Sequence, residues 1–145
     1  MIKVFGYSVV SILLIMSLIG CNGRTTDGAG ELLLTNEIDS NLDKVNRIEI
    51  IYSDGNEIKI EDPKDIERIA NFLRSIKLNP VKESNVGYLY RLKIIENDNK
   101  IELNNTVKID NKYYSPIGDE ITELNRFIIN KGREKYPDLL SGIDI

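Results

Sequence analysis

Apolar residues recur along this chain with two different spacings, and the places where one spacing gives way to the other predict its elements. From Val45 to Tyr52, Ile48, Ile50 and Tyr52 alternate with Arg47, Glu49 and Ile51, the period of a half-buried strand. Ser53, Asp54, Gly55 and Asn56 supply hairpin-turn chemistry, and a second strand follows in which Ile58 and Ile60 oppose Glu57, Lys59 and Glu61. The longest alternation runs from Tyr88 to Glu96, with Tyr88, Tyr90, Leu92 and Ile94 on one face. After Asn97, Asp98 and Asn99, shorter alternations carry Ile101 and Leu103, then Val107 and Ile109, and a turn at Asn111 and Lys112 leads to Tyr113 and Tyr114.

Two segments switch to steps of three and four. Ile66, Ile69, Ala70, Leu73 and Ile76 form one helical face behind Asp62 and Pro63, where a carboxylate caps free N–H groups and proline fits the first helical position. Ile117, Ile121, Leu124, Phe127 and Ile128 form another behind Ser115 and Pro116, with Gly132 as the expected terminator. Lys77 to Gly87, holding Asn79, Pro80 and Gly87, reads as the longest internal loop, and residues 132–145, broken by Pro137 and Gly142, as a C-terminal tail.

The order ββαββββα predicts an α+β domain over residues 45–131, an antiparallel sheet of about five or six strands with two helices packed on one face. Ile48, Ile50, Tyr52, Ile58, Ile60, Tyr90, Leu92 and Ile94 are expected to meet Ile69, Leu73, Ile121 and Leu124 in the core. The other sheet face would carry Arg47, Glu49, Lys59, Arg91, Lys93, Glu102 and Lys108, both signs interspersed as on a solvated sheet.

Ahead of the domain, residues 1–20 follow the plan of a cleaved export signal: Lys3, an apolar run from Val9 to Ile19, then Gly20. The run is shorter than the roughly 20 apolar residues a membrane-spanning helix needs. Leu18, Ile19, Gly20 and Cys21 resemble a bacterial lipobox, and the chain as a whole is similar to small Gram-positive lipoproteins that carry one α+β domain behind a tether. The resemblance implies diacylglycerol on the Cys21 sulfur and cleavage between Gly20 and Cys21. The protein would then sit lipid-anchored on the outer leaflet of the cell membrane, facing outside, or in the outer membrane of a Gram-negative host. Two acyl chains anchor stably where one binds reversibly. Residues 21–44, polar and glycine-rich from Asn22 to Gly30, then read as a flexible tether, interrupted by Leu32, Leu33 and Leu34, which pack on the domain or on a partner.

Composition narrows the chemistry further. A net charge of -4 argues against nucleic acid as a partner. There is no histidine, which removes Ser-His-Asp and Cys-His arrangements, and the single cysteine is assigned to the lipid. Asp39, Asn41 and Asp43 begin a calcium-loop spacing, but Lys44 and Ile50 stand where that loop needs glycine and glutamate. No metal or other cofactor is expected. Tyrosines remain: Tyr88, Tyr90, Tyr113 and Tyr114 are the candidate binding residues, set against cross-strand packing as the simpler role. The leading expectation is a membrane-anchored, non-enzymatic interaction or ligand-binding module of the cell envelope with an envelope protein as its possible partner. One alternative is an immunity-type lipoprotein that binds a secreted toxin, and another is an accessory envelope enzyme using paired carboxylates.

Overall fold

A computed structural model describes residues 32–83, 87–104, 107–109 and 111–143. Its elements follow in the order β1 (Leu32–Leu33), α1 (Leu34–Glu37), β2 (Val45–Tyr52), β3 (Glu57–Ile60), α2 (Pro63–Ser75), β4 (Lys77–Val81), β5 (Tyr90–Glu96), β6 (Asn99–Leu103), β7 (Val107–Ile109), β8 (Lys112–Ile117) and α3 (Asp119–Lys135). The class is α+β and every strand pairing is antiparallel. Gly20 and Cys21 lie outside the described residues.

Local chemistry behaves as expected where the hydrophobic period is strong. The Asp62 carboxylate accepts from the Lys64 N–H at 2.8 Å and the Asp65 N–H at 3.3 Å, capping α2 with Pro63 in its first turn. Ile66, Ile69, Ala70 and Leu73 are buried along its inner face. Between β2 and β3, Gly55 N–H donates to the Tyr52 carbonyl at 3.0 Å and Tyr52 N–H to the Asn56 carbonyl at 2.9 Å, closing the Asp-Gly hairpin turn.

The strands divide between two four-stranded sheets rather than forming one. The first has the order β3-β2-β5-β6 and the second β1-β4-β8-β7. In the first, Ile48 pairs with Ile60 and Ile94, Ile50 with Ile58 and Leu92, and Tyr52 with Tyr90, so one face presents the expected apolar set to the helices. Lys108 stands on β7, in the second sheet, and so leaves the charged face assigned to the first.

The second sheet exists because two segments are strands where turn and helix signals stood. Lys77–Val81, expected as loop, is β4, and it pairs with β8 from Lys77–Ile117 through Val81–Tyr113. Ser115 and Pro116 therefore extend β8 instead of opening a helix. Among the described residues β1 pairs with Lys77 and Leu78 on β4, and β7 with Lys112, Tyr113 and Tyr114 on β8. Within the β4–β8 ladder Pro80 stands opposite Tyr114 and Pro116 opposite Leu78. The helix begins after Gly118, whose φ of 104° is a left-handed backbone that suits glycine.

Four further expectations change. β5 begins at Tyr90, leaving Tyr88 outside the strand. Gly132 lies inside α3 and does not end it: a side chain there would collide with Tyr52 and Leu139, so glycine permits close packing. The tail beyond it is held, with Leu139 only 1% exposed and the Arg133 guanidinium donating to the carbonyls of Leu139, Leu140 and Ile143, each at 3.1 Å. Likewise the segment read as tether is folded from Leu32 onward. β1 pairs with β4, Leu34 N–H donates to the Ile76 carbonyl at 3.0 Å, and Leu34 and Leu42 are buried in the core.

Candidate functional site

The two sheets and α3 leave a cavity of about 260 Å³ between them. Leu73, Ile76, Leu92, Leu103, Val107 and Leu124 supply apolar wall, drawn from both sheets and from both long helices. These are core positions of their elements, which is why the wall is apolar: the same alternation that buries Leu92 and Leu103 turns them toward the cavity.

Polar groups enter that wall at few points. On α3, Asn125 follows Leu124 and stands four residues after Ile121, so it falls at the border of the inward face. Its Oδ1 accepts the Tyr90 hydroxyl at 2.5 Å. Asn104, just after β6, and Ser115 on β8 complete the polar lining. Burial is the main reason the Tyr90 phenol is held above the ordinary tyrosine range, with a smaller push from Tyr52, so the hydroxyl stays protonated and keeps donating to Asn125.

The four tyrosines singled out in the sequence do not converge. Tyr90 lines the cavity and is cross-strand partner to Tyr52, whose own hydroxyl donates to the Ile128 carbonyl at 2.8 Å. Tyr114 is buried and pairs with Val107 and Pro80. Its neighbour Tyr113 points to the opposite face of β8, where the Lys108 ammonium lies 5.5 Å from its ring centre. Tyr88 is the most exposed of the four, with the Arg91 guanidinium 5.5 Å from its ring centre. Asn125, Asn104 and Ser115 were not singled out as site residues. The signal for Asn125 was available, a polar side chain bordering the Ile121, Leu124 and Ile128 stripe, whereas Asn104 reads as an outward polar position of a strand and Ser115 as a helix cap.

The oxygen-rich segment at Asp39, Asn41 and Asp43 is bound by a cationic side chain. Arg74 donates to Asp43 Oδ1 at 3.1 Å and to the Asn41 carbonyl at 2.9 Å. Among the described residues no cluster of three or more His, Cys, Asp or Glu side chains is placed to hold a metal ion, and no helix is long and apolar enough to cross a membrane.

No protein-family model, curated protein or solved structure matches the chain. The functional reading therefore rests on the cavity and on the N-terminal sequence.

Proposed function

We propose that this protein is a lipid-anchored, extracytoplasmic module that binds a small ligand without transforming it, tethered to the membrane through Cys21 and holding the ligand in the cavity between its sheets. The cavity carries the reading. Its wall is mostly aliphatic with a few neutral polar groups, the composition of a binding pocket, and the one titratable side chain among its described residues, Tyr90, is kept protonated. Proton transfer near neutral pH asks for a group whose pKa lies close to that pH, and the described lining offers two amides, a hydroxyl and a phenol instead. The lipobox resemblance of Leu18 to Cys21 supports the anchor, and the polar, glycine-rich stretch from Asn22 to Gly30 supports a spacer behind it.

Native mass spectrometry of the chain isolated from its own membrane tests both halves. The expected species starts at Cys21, carries the mass of a diacylglyceryl group and releases a small molecule on denaturation. Cys21→Ser should lose the lipid, and Ile121→Trp, placed on the cavity wall, should lose the small molecule while keeping a cooperative melt. A chain with an unmodified Cys21 would overturn the anchor. A small molecule kept at full occupancy by a folded Ile121→Trp variant would overturn the cavity as its site.

A further inference from the structure

We infer that the cavity takes a small uncharged amphiphile, an aliphatic body with a carboxamide head that meets Asn125 and Tyr90. This rests on the ligand-binding reading above and goes beyond it by naming the chemical class.

The head group follows from the hydrogen bond already made inside the wall. Asn125 Oδ1 is occupied by the Tyr90 hydroxyl. What remains at that point is the donor pair on Asn125 Nδ2 and the lone pairs on Tyr90 Oη, a donor beside an acceptor. A carboxamide is their complement, its carbonyl accepting from Nδ2 and its N–H donating to Oη. A carboxylate has acceptors only and an ammonium donors only, so each would leave one of the two protein groups unanswered.

Charge is disfavoured for a second reason. Among the described residues no Asp, Glu, Lys or Arg lines the cavity, and the Tyr90 side of the polar point, only 7% exposed, is buried beside the half-buried Asn125. An ionic head would have to shed water there with no counter-charge, the costly case for any buried ion.

Size sets the body. The 260 Å³ would hold roughly nine water molecules at their liquid share of about 30 Å³ each, which matches a ligand of about ten heavy atoms. Leu73, Leu92, Leu103 and Leu124 give that body an aliphatic environment.

Octanamide, octanoate and octylamine share one tail and differ in the head, so they separate these terms. Each is titrated by calorimetry at neutral pH into the chain carrying Cys21→Ser, which removes the attached lipid as a competitor. Octanamide should bind at least about tenfold more tightly than either charged analogue. Asn125→Leu should bring the three within about threefold of one another, and Asn125→Asp should turn the preference toward octylamine in its ammonium form. The second variant keeps the test open if the first fails to fold. Octanoate or octylamine binding the unsubstituted pocket as tightly as octanamide would overturn the uncharged head and leave ligand binding standing. If none of the three binds while the native chain still releases a small molecule, the ligand class is wrong. If none binds and nothing is released, the cavity reading fails as well.

Discussion

The sheet β3-β2-β5-β6 and the sheet β1-β4-β8-β7 contain the same number of strands and the same antiparallel pairing, yet they are built to different standards of fill. In the first, β2 and β5 run 8 and 7 residues, and Ile48, Ile50 and Ile94 are fully buried against the helices. In the second, the two edge strands β1 and β7 are 2 and 3 residues long, and both central strands carry a proline. The cavity lies where the two sheets meet the long helices, walled by Leu92 and Leu103 of the first sheet and by Val107, Ser115 and Pro116 of the second. The regularly alternating strands carry the fully buried positions, and the proline-bearing β8 borders the space a ligand can use.

Removing the same aliphatic bulk from each half would sharpen this contrast most. Ile50→Ala, at a fully buried position of β2, should cost about 2–5 kcal/mol in chemical denaturation, the range for losing a buried aliphatic side chain and leaving a hole. Ile121→Ala, on the half-buried wall of an existing cavity, should cost about 1 kcal/mol, since less contact is lost there. Equal losses at the two sites would mean that the cavity is packed as tightly as the core.

High pH attacks the first sheet from within. Tyr52 and Tyr90 pair across β2 and β5, and burial is the leading cause that raises both phenols above their ordinary value near 10. A raised folded-state pKa means that the folded chain holds its proton where the unfolded chain has released it. Stability is therefore intact below pH 10 and falls as pH climbs above it, with a slope of about 1.4 kcal/mol per pH unit for each tyrosine. Urea midpoints measured from neutral pH to pH 11 should show this fall, shallower by about half in Tyr52→Phe. An unchanged slope in that variant would remove Tyr52 from the account.

A smaller effect tests the packing of α3 on the first sheet. Gly132→Ala should destabilise by about 1–2 kcal/mol, because overpacking against Tyr52 and Leu139 outweighs the gain of about 0.8–1 kcal/mol in helix propensity. A stabilised variant, read from its thermal melt, would show that the tail around Leu139 yields easily.

How far the sequence reveals this molecule divides along the same line. β2, β3, β5 and α2 were legible because their burial follows one period and their ends carry capping or turn residues. β4 and β8 were not, since Asn79–Pro80 and Ser115–Pro116 carry the chemistry of a turn and of a helix start. Only their pairing with each other, a tertiary fact, makes strands of the two segments. The site was half legible for a related reason. Tyr90 was visible as an aromatic strand residue, but Asn125 acquires meaning only when α3 brings it to the Tyr90 hydroxyl, 35 residues distant along the chain.

The smallest predicted effect concerns the outer face of the first sheet, which the helices leave open. Register places Lys59, Glu49, Lys93 and Glu102 side by side across β3, β2, β5 and β6, an alternation of sign through all four strands. Lys93 has a carboxylate neighbour on each side, and its charge, after the Lys100 hydrogen bond, helps hold the Glu102 carboxyl below the usual range. Lys93→Glu would set three carboxylates abreast. Cross-strand like charges cost a few tenths of a kcal/mol each, so the total should be about 0.5–1 kcal/mol at low salt. It should shrink markedly by 1 M salt, where the screening length falls to about 3 Å. Lys93→Gln should lose less and respond less to salt. A loss in Lys93→Glu that salt leaves untouched would mean that its aliphatic stem, packed along the half-buried sheet surface, matters more than its charge.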